Sequence, residues 1–243
     1  MLYKSCGKPK KTLILICAAL VAVLGIGGFF LFGGSRGPEI GEIIQFGGYD
    51  WRVLDVDRRG RALIITENVV GQRSYHDSWE AVTWETSDIR RYLNEEFYNS
   101  FSASDRARIR QTTVVNNDNP WSDAPGGNDT TDKIFLLSLE ELVRYFGDSG
   151  MLAGGVDPNA RYDNLNSISE DRGIHWWGFQ DQYSEARIAH GADGAYAWWW
   201  LRSPGYFEFT NAACIHFRGG VVVFGLEMDI GDGGVRPALW LRP

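Results

Sequence analysis

Cysteine is scarce, and only one of the chain's three, Cys214, lies beyond residue 32. No disulfide can form within the following part of the chain, so its stability has to come from a buried apolar core. A stretch of about 200 residues can supply one. Around Cys6, "SCGK" has no second C-x-x-C to complete a tetrahedral zinc site, and "LILIC" before Cys17 lacks the small residues of a lipid-attachment signal. Histidine is also sparse. His76, His175, His190 and His216 form no H-x-x-x-H pair of the kind that sets two metal ligands on one helical face. No internal repeat is present.

Charge is absent from Thr12 to Phe32, "TLILICAALVAVLGIGGFFLF". As a helix this run would extend about 30 Å, the thickness of a bilayer's hydrocarbon core. It is longer than the apolar region of a cleaved signal peptide and has no A-x-A-like site after it, so it reads as a signal-anchor. Lys4, Lys8, Lys10 and Lys11 precede the run and Arg36 alone follows closely. Positive residues stay on the cytoplasmic side. The expected organisation is a basic cytoplasmic tail over 1–11, a transmembrane helix over 12–32, a glycine-rich linker over 33–41 and an extracytoplasmic domain over 42–243, in a single-pass protein of the cell membrane. All 31 acidic residues lie beyond the run, with 20 of the 24 basic ones, a net charge of −11 for the outer part. That balance argues against nucleic acid and anionic lipid headgroups as partners.

What is abundant is aromatic: 14% of residues, ten of them tryptophan. In "IIQFGGYDWRVLDVDRRGRALIITENVV" the alternation of Trp51, Val53 and Asp55 against Arg52, Leu54 and Val56 predicts a meander turning at "DRRGR". "TSDIRRYLNEEFYNSF" places Ile89, Tyr92, Leu93, Phe97 and Phe101 at helical spacing behind a Ser87 cap. A second short helix follows Ser102, "QTTVV" reads as a strand, and Ser138 with Glu141 caps "SLEELVRYFG". "DQYSEARIAHG" predicts a helix ending at Gly191. Late strands are expected over Ala197 to Ser203, Ala213 to Arg218, Val221 to Gly225 and Val235 to Arg242.

The phrases "YDWRVLD", "TWETSDIRRYLNEEF", "GGNDTTDKIFLLSLEE", "WWLRSPG" and "GVRPALWL" together resemble a bacterial domain-of-unknown-function family, numbered 6273, across Ile43 to Leu241. The family has no established activity to carry over. A looser similarity, carried by "LRSPG" and "GVRP", is to C-type-lectin-like domains of the sulfatase-modifying-factor type. It implies a loop-rich α+β domain of antiparallel strands and a few short helices, and fold alone does not set function.

Sulfatase-modifying relatives use paired cysteines, which a single Cys214 excludes. Cys214 and His216 would share a strand face, but a third orienting group is missing, and a free strand cysteine is ordinarily a small core hydrophobe. Asp118, Asp123, Asn128, Asp129 and Asp132 carry hard oxygens suited to calcium, without EF-hand order. Side-chain-to-backbone turns account for them as well, and no cofactor is assigned. The calcium-lectin Glu-Pro-Asn, Gln-Pro-Asp and Trp-Asn-Asp signatures are absent. Trp198 and Trp200 should face one way and Trp199 with Leu201 the other, one set filling the core. Arg202 and Arg236, each beside a proline turn, are expected to act as structural clamps. The expected function is noncatalytic recognition of a protein or glycan at the cell surface, with Trp176, Trp177, Tyr206, Phe207 and Phe209 as ligand contacts. Contact loops would be Asn116 to Asp132, His175 to Asp181 and Tyr206 to Asn211. An envelope enzyme and a purely structural module are the alternatives.

Overall fold

Gly47 and Gly48, at φ 57° and 87°, turn β1 (Ile43–Phe46) directly back into β2 (Tyr49–Val56). A two-residue hairpin turn of type I′ needs positive φ at both positions, which glycine adopts freely. The computed structural model describes residues 37–120, 122, 124–147, 180–205 and 210–242. At the next turn Asp57 Oδ1 accepts from the backbone N–H of Arg59 and Arg61 at 2.8 and 3.0 Å, and the chain enters β3 (Ala62–Thr66). The C-terminal strand β12 (Ala238–Leu241) then lies between β3 and β4 (Ile109–Arg110), completing an antiparallel sheet of order β1-β2-β3-β12-β4. β2 departs from strict alternation. Its register slips between Val53 and Asp55, so Leu54 joins Val53 in the core and Asp55 is left half-buried.

Phe97 and Phe101, from the helical segment that follows, pack against Tyr49 and Phe46 of this sheet. Ser87 accepts from the N–H of Arg90 and starts α1 (Asp88–Tyr92), which continues through a wide π turn, Leu93–Phe97, into α2 (Tyr98–Ser100). Ile89, Leu93, Phe97 and Phe101 are buried, the helical spacing expected. The π turn itself is not signalled by that spacing. Asn94 sits in it and donates to the carbonyls of Arg90 and Ile134 at 3.1 and 2.9 Å. Its Oδ1 accepts from the N–H of Lys133 at 2.8 Å. One side chain thus stands in for a strand neighbour of residues 133–134. α3 (Ala103–Arg108) is capped by Ser102, and α4 (Leu139–Phe146) carries the full Ser138–Glu141 capping box.

β5 (Thr112–Val114) pairs with β6 (Thr130–Asp132) across the base of the polar loop. The helix expected to reach Gly191 is shorter. α5 (Ser184–Arg187) stops where Trp199 Nε1 donates to the Arg187 carbonyl at 3.0 Å. The chain then becomes β7 (Ala189–His190), paired with β8 (Tyr196–Ala197). β9 (Trp199–Pro204), β10 (Asn211–Ile215) and β11 (Val221–Glu227) make a three-stranded antiparallel sheet.

Both faces of β9 are covered, because Trp199, Trp200 and Leu201 are all fully buried. Trp198 does share a side with Trp200, at 4.7 Å between ring centroids. Each fully buried indole N–H finds an acceptor: Trp51 on the Phe46 carbonyl, Trp84 on Asp132, Trp199 on Arg187 and Trp200 on the Arg73 carbonyl, all between 2.8 and 3.0 Å. An unpaired N–H at such depth would cost about 1–3 kcal/mol. The fold is therefore mixed α+β with antiparallel sheets and short helices. Among the described residues no helix is long and apolar enough to cross a membrane. The apolar run 12–32 lies outside the described residues.

Candidate functional site

Arg202 leaves β9 fully buried and spreads its fork over three separate segments. Its Nη1 donates to the Leu136 carbonyl at 2.7 Å and to the Glu141 carboxylate at the start of α4. Nη2 donates to the Val115 carbonyl at 2.9 Å and Nε to Asn116 Oδ1 at 3.2 Å. Only a planar guanidinium offers donors in that many directions at once.

The loop that follows is pinned the same way. Asn119, fully buried, donates through Nδ2 to the carbonyls of Pro204 and Val223 at 2.7 and 2.8 Å. Ser122 Oγ donates to the Gly205 carbonyl at 2.7 Å. The base of the Asn116 to Asp132 loop is therefore fastened to Pro204–Gly205 at the end of β9. Three of the loop's acidic residues accept from the protein's own donors: exposed Asp118 from Gly126 N–H at 3.0 Å, exposed Asp129 from Asn116 N–H at 3.1 Å, and buried Asp132 from Trp84, Arg90 and Thr130. Among the described residues no group of three His, Cys, Asp or Glu side chains converges as metal ligands would.

A second knot closes the long excursion between α4 and α5. Arg187 is completely buried and holds Asp181 with two bonds, at 2.9 and 3.0 Å, while donating to the Gly147 carbonyl at 2.9 Å. One fork thus ties together residues 147 and 181, the two ends of the segment. Arg236 lies against this knot. Its Nε donates to the Thr66 carbonyl at 2.8 Å, and its guanidinium stands 4.9 Å from the Trp199 ring and 5.5 Å from Phe146. No carboxylate pairs with it among the described residues, and burial pushes its pKa down to about 10, against the opposing pull of Glu67.

The one candidate nucleophile of the sequence is withdrawn from solvent. Cys214 is buried in β10, and burial pushes its thiol up, away from the reactive thiolate. His216, held below its usual value by burial and then by Arg218, accepts from the Arg218 N–H at 3.4 Å. His76 and Glu80, four apart in sequence, sit in a loop rather than on a helix, and His76 Nδ1 lies 2.7 Å from Asp88.

Of the residues expected to contact ligand, Trp176, Trp177, Tyr206, Phe207 and Phe209 lie outside the described residues, as does His175. Arg202 and Arg236 sit at the two knots. Arg187, Asn119 and Asn94 carry comparable bonding without a signal in the sequence, since they reach acceptors 40, 104 and 40 residues away.

The family described as Domain of unknown function (DUF6273) matches residues 59–243. No curated protein and no solved structure matches the chain.

Proposed function

The chain belongs to this family of unknown function, and on that premise we propose a single-pass membrane protein whose extracytoplasmic domain recognises a protein or glycan without catalysis. The observation that carries this is the anchoring of loop bases. Arg202 holds Val115 and Asn116 to β9, and Asn119 and Ser122 fasten the polar loop to Pro204–Gly205, immediately before "YFEFT" in the sequence, so the scaffold presents its polar loop from rigid points. Burial of Cys214 and the use of Asp118 and Asp129 as acceptors for backbone N–H groups support binding over chemistry. Terminal strands β1 and β12 in one sheet, beside a separate three-stranded sheet, are consistent with a C-type-lectin-like arrangement. The apolar run 12–32 is the proposed anchor.

The test is a glycan array and an envelope-protein pull-down with the detergent-solubilised full chain. The expected result is a captured ligand that is lost on Tyr206→Ser, Phe207→Ser and Phe209→Ser together, with an unchanged melting temperature. A blank result from both screens sinks the proposal, as does a ligand indifferent to the triple substitution.

A further inference from the structure

The outer part is acidic as a whole, but the topology sorts its arginines. Arg58 and Arg59 form the exposed tip of the β2–β3 turn, and Arg61 beside them is paired with Asp57. Ala62 at the start of β3 is opposite Leu241, and Leu241 is opposite Ile109 of β4. The chain ends flanking those positions therefore lie side by side. Arg242 N–H donates to the Arg108 carbonyl at 2.9 Å, Arg108 donates back to the Arg242 carbonyl, and exposed Arg110 follows on β4. Arg58, Arg59, Arg110 and Arg242 are exposed and make no ion pair among the described residues. Like charges on adjoining strand ends repel, and an anionic surface would relieve that cost.

β1 runs antiparallel to β2, so the chain enters the sheet from this same end. Ile40 and Ile43, 68% and 43% exposed, stand at that entrance, accompanied by Glu39 and Glu42. Ten residues from Phe32 to Glu42 reach at most about 35 Å, so a bilayer anchored through residues 12–32 stays within range. We propose that this arginine-bearing end of the five-stranded sheet docks on anionic phospholipid headgroups, with the guanidinium groups pairing to lipid phosphate. The inference rests on the membrane anchor of the proposed function. It also revises the expectation drawn from net charge, because headgroup attraction is local, decaying over about 8 Å at physiological ionic strength.

The test uses the full chain in nanodiscs of phosphatidylcholine alone or with 30% phosphatidylglycerol, read by amide hydrogen exchange. Exchange around the β2–β3 turn and β4 should slow about tenfold in the anionic discs only. The slowing should vanish in 0.5 M salt and in a variant carrying Arg58→Ser, Arg59→Ser, Arg110→Ser and Arg242→Ser. Equal exchange in both discs overturns the docking surface, as does protection by soluble polyglutamate but not by lipid. An alkaline carbonate wash reads the anchor separately. A chain released by the wash loses the anchor, and its salt-sensitive co-sedimentation with anionic but not zwitterionic vesicles still decides the surface.

Discussion

A thiol buried as deeply as Cys214 reacts only when the strand that carries it opens. In a full chain carrying Cys6→Ser and Cys17→Ser, a thiol reagent should label nothing before unfolding and one site after it. Fast labelling of the folded chain would return Cys214 to the list of nucleophiles. Alkaline behaviour gives a second residue-scale prediction. Burial holds Tyr75 and Tyr92 above the usual phenol value and pushes Tyr145 up to about 12. The stability these phenols contribute is complete below pH ~10, and it is lost as pH rises through their folded values. Arg236 works in the opposite sense over the same range, because its folded value of about 10 lies below that of the unfolded chain. Arg236→Met should therefore steepen the loss of stability between about pH 10 and 11.5, measured as urea midpoints. A slope unchanged from wild type would contradict a folded value of Arg236 lowered by burial.

Elements with a local cause were legible in the sequence, and those with a distant cause were not. The caps at Ser87, Ser102 and Ser138 act on residues three positions on, and all three start helices as expected. The π turn at Leu93–Phe97 depends on Asn94 reaching residues 133 and 134, and the early end of α5 depends on Trp199; neither partner is near in sequence. Asn94→Ala removes both donated bonds and strands the N–H of Lys133, at an expected cost of about 2–3 kcal/mol in urea unfolding. A loss near zero would mean that the π turn persists for other reasons. Gly233→Ala would set a Cβ 1.9 Å from Nε1 of the fully buried Trp200. Its expected destabilisation is roughly 1–3 kcal/mol, read by the same method.

Across the whole molecule, composition foretold a core without disulfides, alternation and capping foretold individual strands and helices, and their α+β antiparallel combination was what the looser similarity implied. The distribution of charge did not follow from its sum. Arg58 and Arg242 stand 184 positions apart in sequence, and only the insertion of β12 beside β3 brings them to one end of the sheet. The same holds for the knots, where buried arginines bind carbonyls of several segments and so hold the bases of the loops proposed to meet a ligand. The central claim is that these arginines form the frame and not the contact surface. Arg202→Met in the full chain tests it most directly, followed by urea unfolding together with ligand capture. The account predicts a loss of about 3–5 kcal/mol, unrescued by Arg202→Lys. An unchanged unfolding midpoint accompanied by abolished capture would contradict it.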